Sequence, residues 1–179
     1  ILHAEHGGGN NSTFSVRVTS STETDTYSAI AAGIGSLKGP LHGGANIKVV
    51  NMFHHLKEAI VDWTNEDEID TYLNRMLNKD AYDKSGLIYG IGHAIYTMSD
   101  PRAIELKKLA GELAKEKGRE KEYEFLKLIE QEGIKCVTNH RKTKKPICAN
   151  LDFYSGFIYE MIGLPQEIYT PVFAMARIV

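Results

Sequence analysis

The sequence predicts an all-α chain, and three observations predict it. Apolar residues recur at three- and four-residue spacing through most of the 179 residues, the apolar stretches open on side chains that cap helices, and glycine- or proline-bearing turns separate them. Composition is that of an ordinary globular domain, with 42% hydrophobic and 25% charged residues and a formal net charge of −2. That balance gives no reason to expect nucleic acid or an acidic membrane surface as partner. Cys136 and Cys148 have neither metal-ligand spacing nor a secreted context, so they read as reduced thiols in an intracellular protein. No apolar run approaches transmembrane length, and no signal peptide is expected. The chain opens on Ile1 and stops inside an apolar helical pattern at Arg177-Ile178-Val179, which suggests a piece of a longer protein.

Taken in order, Ile1 to Gly9 reads as the end of a helix or strand running into a glycine turn. Its His3 and His6 have a spacing that can bind metal, but no further ligand completes a site, and no metal is expected. Asn10 to Thr13 supply caps for a helix carrying Phe14, Val16 and Val18. Thr26 to Leu37 reads as a buried helix of small residues ended by Lys38 and Gly39. Ala45, Val49, Met52, Phe53, Leu56 and Ile60 mark the next, in which His54 and His55 read as a solvated or interfacial pair. Trp63 to Glu66 starts a helix with Ile69, Tyr72, Leu73, Met76 and Leu77 on its buried face. After a polar connection, Asp100 is an N-cap and Pro101 the first helical residue of a helix buried through Leu106, Leu109, Ala110 and Leu113. A further helix from Glu120 is expected to stop at Gly133, with Lys135 to Lys145 forming a basic loop. Asp152 reads as the N-cap of a helix through Phe153, Phe157, Ile158, Met161 and Ile162, and Pro165 and Pro171 frame a last helix that carries Arg177.

Four places carry chemistry. Gly39-Pro-Leu-His-Gly-Gly-Ala-Asn46 surrounds His42 with glycines able to take positive φ and to let a ligand approach the main chain. Standing at a helix N-terminus, where the dipole disfavours imidazolium, His42 is either a neutral donor to developing negative charge or merely a capping loop histidine. His93 follows Gly86, Gly90 and Gly92, whose spacing is not that of a dinucleotide or phosphate-loop fingerprint. Arg102 lies in a first helical turn, where the dipole opposes a cation, so it serves an anionic partner or a surface ion pair. Asp152 among aromatic residues is a simple cap or a partly desolvated general base. The basic run 135–145 is a solvated surface or a local phosphate receptor.

Gly39-Pro-Leu-His-Gly-Gly-Ala-Asn46, Gly90-Ile-Gly-His93 with Asp100-Pro-Arg102, and Asn150-Leu-Asp-Phe-Tyr-Ser-Gly156 occur in the order and rough spacing of one family. With His3-Ala-Glu-His6 before them and Ala174-Met-Ala-Arg177 after them, the chain resembles the citrate synthase family over essentially its whole length. The resemblance implies an almost wholly helical fold of a large and a small domain that condenses acetyl-CoA with oxaloacetate to citrate and CoA. It implies that His42 stabilises the enolate of the thioester, Asp152 takes the methyl proton, and His93 polarises the oxaloacetate carbonyl. Arg102, Arg177 and His6 would bind the substrate. It also implies that no metal or cofactor is needed beyond acetyl-CoA as co-substrate, and that the full-length protein is a homodimer in the cytoplasm, or in the mitochondrial matrix of a eukaryote. Residues 1–42 and 152–179 would be parts of the large domain and 43–151 the small domain. Family members are roughly twice this length or more, so the chain alone is expected to be inactive.

Two positions depart from the family pattern. Ala94 to Met98 stand where many members carry basic residues for the CoA phosphates, a task the 135–145 run is then placed to share, and Ala149 stands where proline is frequent. A 2-methylcitrate synthase acting on propionyl-CoA is the nearest alternative, since one methyl group is worth only about 1 to 3 kcal/mol of discrimination. A catalytically silent module that binds CoA or a protein is the alternative of another class.

Overall fold

A computed structural model describes residues 10–39, 42–93, 96 and 98–178; the readings for Ile1 to Gly9, His6 among them, fall outside these residues. The described residues form eight α-helices and one 3₁₀ turn at Gln166–Ile168, with a lone antiparallel bridge between Ile91 and Ala149. The chain is all-α, as its periodicity predicts.

Contacts divide the chain into two compact units, one of Ile1–Ile47 with Leu164–Val179 and one of Lys48–Gly163. In the first, α1 (Asn11–Ser20) is capped by the Asn10 side chain, which accepts from the Thr13 N–H, and α2 (Thr26–Leu37) by Asp25, which accepts from Ser28. These two pack so closely that a methyl group on Gly33 would lie 2.4 Å from Val16 Cγ2. The expected all-round burial of α2 is not found in this chain: Ala29, Gly33 and Leu37 are buried, whereas Tyr27 and Ile34 face outward. The last helix of this unit is α8 (Tyr169–Arg177).

The second unit takes most of α3 (Ala45–Ala59), then α4 (Glu66–Leu77), α5 (Pro101–Lys117), α6 (Glu120–Arg141) and α7 (Asp152–Met161). Its core is Val49, Met52, Phe53 and Leu56 of α3, Ile69, Leu73 and Met76 of α4, Phe125, Leu126 and Ile129 of α6, and Phe153 and Phe157 of α7. Each fully buried side chain of this size contributes about 1.5 to 3 kcal/mol. Asn65 caps α4 and Asp100 caps α5 with Pro101 behind it, as the sequence signals.

Two expectations are corrected, and a third is made specific. Helix α6 does not stop at Gly133 but continues to Arg141, so the basic run is helical up to that residue. Gly133 is buried against Ile88 and Ile91, and that packing outweighs the roughly 1 kcal/mol a glycine costs inside a helix. On α5 the buried stripe runs through Ala103, Leu106, Ala110 and Ala114, leaving Leu109 exposed. His54 and His55 are each engaged: His54 Nε2 lies 2.5 Å from Glu160 of α7, and His55 Nε2 lies 2.6 Å from the Tyr72 hydroxyl.

Candidate active site

Within the first unit, His42 precedes α3 in a turn closed by its own N–H donating to Gly39 O and by its carbonyl accepting from Ala45 N–H. The glycines here do a different job from the one their type suggests, because Gly39, Gly43 and Gly44 do not take positive φ. Gly43 is required by packing: a Cβ there would fall 2.3 Å from Leu37 O, a carbonyl its own N–H bonds at 2.9 Å. The room it leaves is used by the chain itself.

The Ser12 N–H, in the first turn of α1, donates to His42 Nε2 at 3.3 Å, and Ser12 Oγ lies 3.0 Å from the same nitrogen. A ring nitrogen that accepts from a backbone N–H carries no proton, so the neutral imidazole bears its hydrogen on Nδ1. Burial, aided by the positive charge of Arg177, holds the His42 pKa below its ordinary value. Phe173 lies between these two groups, edge to face with His42 at 6.0 Å and under the Arg177 guanidinium at 4.3 Å. Arg177 also lines a groove of about 270 Å³ with Ser12, Val16, Gly33 and Leu37.

Within the second unit, Arg102 is not the surface cation that was one of its two readings. It is 8% exposed and bonded side-on to Asp100, itself 1% exposed, through Nε to Oδ1 and Nη2 to Oδ2, both at 2.9 Å. Burial alone would raise the Asp100 carboxyl, but the hydrogen bonds and charge of Arg102 outweigh it and hold the pKa below the usual range. Asp100 Oδ2 also accepts the Leu151 N–H at 3.2 Å, tying the start of α5 to the residue before Asp152.

Arg102 Nη2 lies 3.2 Å from His93 Nε2, while the Tyr96 N–H donates to His93 Nδ1 at 3.0 Å. Neither the guanidinium nor the backbone N–H can accept, so each ring nitrogen of His93 faces a donor. The guanidinium thus meets one edge of the imidazole while the main chain meets the other.

Asp152 is the first residue of α7 rather than its N-cap, a one-residue difference with a clear cause. The cap residue by geometry is Leu151, which has no side chain for the task, and Asn150 Oδ1 instead accepts the Asp152 N–H at 3.0 Å. Antiparallel pairing joins its loop to that of His93, with Gly92 N–H to Cys148 O at 2.7 Å and Asn150 N–H to Gly90 O at 2.8 Å. Gly90 holds φ +82°, and a Cβ there would fall 2.8 Å from the Phe153 ring.

His42 and Arg177 thus belong to one unit, and His93, Arg102 and Asp152 to the other. Sequence reasoning treated Asp100 and Ser12 as helix caps and gave no role to Phe173. The Asp-Pro-Arg spacing carried a local hint of the ion pair, whereas Ser12 is 30 residues from His42 and has no local signal. Among the described residues no group of three or more His, Cys, Asp or Glu side chains is arranged to hold a metal ion, and no helix is long and apolar enough to cross a membrane.

One unit thus holds a buried, carboxylate-fixed arginine beside His93, with Asp152 opening the helix that follows their joined loops. The sequence profile of the citrate synthase C-terminal domain matches residues 1–179, and the chain belongs to the citrate synthase family. It is 40% identical to the citrate synthase of Synechocystis over 99% of this chain and 40% of that protein, and 39% identical to that of Deinococcus radiodurans over 99% and 42%. Among solved structures it resembles the citrate synthase of Thermoplasma acidophilum in ternary complex with carboxymethyl coenzyme A and oxaloacetate, with a TM-score of 0.78 and 32% identity over 99% of this chain and 43% of that one. Citrate synthase from Thermotoga maritima aligns with a TM-score of 0.76 and 33% identity, again over 99% and 43%. The chain spans about 40% of the length of the curated relatives it matches.

Proposed function

We propose that the full-length protein is a citrate synthase, condensing acetyl-CoA with oxaloacetate and releasing citrate and CoA. The observation that carries this reading, beyond family membership, is the 3.2 Å contact of the Arg102 guanidinium with His93 Nε2, with Asp100 tying that arginine to the backbone before Asp152.

The Asp152 carboxylate removes a methyl proton of the acetyl thioester, and the His42 Nδ1–H hydrogen-bonds the thioester oxygen as negative charge builds on it. The enolate carbon attacks the ketone carbon of oxaloacetate, and His93 Nε2–H polarises that ketone and protonates the alkoxide that forms. Arg102, Arg177 and His6 bind the substrate, the two arginines through its carboxylates. Water then cleaves the citryl thioester, giving citrate and the free thiol. A neutral His42 with its proton on Nδ1 supports this assignment, since an imidazolium would give up its proton rather than share it.

Residues 43–151 are assigned to the small domain, and 1–42 and 152–179 to the large one. The reaction is assigned to a cytoplasmic homodimer, in the mitochondrial matrix if the source is eukaryotic, and it uses no metal. Because the chain spans under half of its relatives, residues 1–179 alone are expected to be inactive. Arg141, Lys142, Lys144 and Lys145 are exposed at and just beyond the end of α6, which supports a share for them in holding the CoA phosphates.

The test is thiol release by the full-length protein with oxaloacetate and either acetyl-CoA or propionyl-CoA, with His93→Ala as control. Preference for acetyl-CoA that disappears in the variant supports the proposal. Preference for propionyl-CoA moves the assignment to 2-methylcitrate, and no release with either leaves a binding module.

A further inference from the structure

Asn150 is bonded on every side. Its N–H donates to Gly90 O at 2.8 Å and its carbonyl accepts the Phe153 N–H at 3.1 Å. Its side-chain Nδ2 donates to Gly92 O at 2.9 Å, and its Oδ1 accepts the Asp152 N–H at 3.0 Å. The orientation of the amide is fixed by chemistry, since the oxygen faces a donor and the nitrogen faces an acceptor.

The two side-chain bonds end on special neighbours. Gly92 O belongs to the planar peptide unit whose nitrogen is that of His93, so holding this oxygen sets where the His93 backbone begins. The Asp152 N–H lies at the open end of α7, and holding it sets the rotation of the first turn from which the Asp152 carboxylate projects. One rigid, planar amide therefore spans the two residues. Gly92 itself sits at φ +106°, in the region that favours glycine.

We propose that Asn150 is a positioning residue that sets the Asp152 carboxylate against the His93 imidazole through the two ends of its side-chain amide. The inference rests on the catalytic assignment of those two residues under the proposed function and adds a third residue that touches neither substrate. Misplacing a base by an ångström costs about 100-fold in rate, while groups that bind substrate through charge are left where they are. Loss of the amide therefore lowers turnover and leaves affinity nearly intact.

The experiment uses the full-length protein with Asn150→Ala, Asn150→Asp and, as a stability control, Met161→Ala at the far end of α7. For Asn150→Ala the expected kcat falls about 100-fold, with KM for both substrates within about threefold of the parent protein. Asn150→Asp keeps the acceptor for the Asp152 N–H but sets a second oxygen against Gly92 O, so it loses at least as much turnover. Met161→Ala, matched for loss of thermal midpoint, keeps its kcat. Equal loss of kcat in Asn150→Ala and Met161→Ala would reduce Asn150 to a structural role, and near-normal turnover in Asn150→Asp would remove the Gly92 arm. Amide hydrogen exchange of Asp152 and His93 is followed in the same proteins. Unchanged protection at Asp152 in Asn150→Ala overturns the link even where the parent protein shows no thiol release, an outcome that by itself counts against the catalytic assignment.

Discussion

Replacing Asp100 by asparagine tests the reasoning about the site at its tightest point. The substitution preserves shape but leaves the Arg102 guanidinium, 8% exposed, facing an amide where it had two charge-assisted bonds of 2.9 Å. Removing one partner of a buried pair costs about 3 to 5 kcal/mol, because the remaining charge is stranded. The Leu151 N–H, bonded to Asp100 Oδ2 at 3.2 Å, keeps an acceptor only if the amide turns its oxygen that way, and the oxygen cannot also serve Arg102 Nε. The expected loss is thus about 3 to 5 kcal/mol at pH 7, measured by urea unfolding followed by far-ultraviolet circular dichroism. The pH dependence has a definite sign. Asp100 is held below its ordinary pKa, so its contribution is present above about pH 4 and is lost as the carboxyl protonates at lower pH. The gap between the two proteins should close on the acid side. A loss under about 1 kcal/mol at pH 7, the value of an exposed ion pair, or a gap that widens with acid, would refute this account of the Asp100–Arg102 pair.

Three other outcomes are expected. Gly90→Ala should cost about 2 to 4 kcal/mol in the same assay, from a left-handed backbone and overpacking together, since its φ is +82° and the new methyl meets Phe153 at 2.8 Å and Val49 at 3.0 Å. Gly133→Ala should instead be neutral or stabilising by up to about 1 kcal/mol, because the helix continues through it and the nearest atom to a Cβ is 3.4 Å away. A loss of more than 2 kcal/mol there would contradict the packing described. The pKa of His42 is lowered, so the neutral ring is kept down to below pH 6.5 and its hydrogen bond from Ser12 N–H is lost as the pH falls further. Nuclear magnetic resonance titration of the imidazole should give a midpoint below 6.5, and one above it would remove the neutral-donor role.

How far the sequence could be read depended on the range of the interactions involved. The bounds of α2 and the start of α5 were legible because their determinants are local: Asp25 and Asp100 sit at the positions they cap, and Pro101 follows at once. Helix α6 was cut short at Gly133 because glycine is a fair stop signal by propensity, and the contact with Ile88 and Ile91 that keeps it in the helix comes from 42 to 45 residues away. The same division governs the site. His42, His93 and Asp152 stood out by residue type and surroundings, and the structure adds the groups that support them, Ser12, Tyr96 and Asn150. Asn150 reaches Gly92 across 58 residues, a link no local pattern could announce. The misreading of the glycines around His42 has a similar origin: residue type tells that Gly43 lacks a side chain, but not that the Leu37 carbonyl fills the space.

The way Arg102 is held has a practical side. A guanidinium whose Nε and Nη2 both bond one carboxylate turns only as that carboxylate turns. Asp100 also accepts the Leu151 N–H, so a shift of the loop before α7 is passed to the guanidinium and from it to the His93 ring 3.2 Å away. The two loops therefore move together, and a spectroscopic label on either one reports on the other.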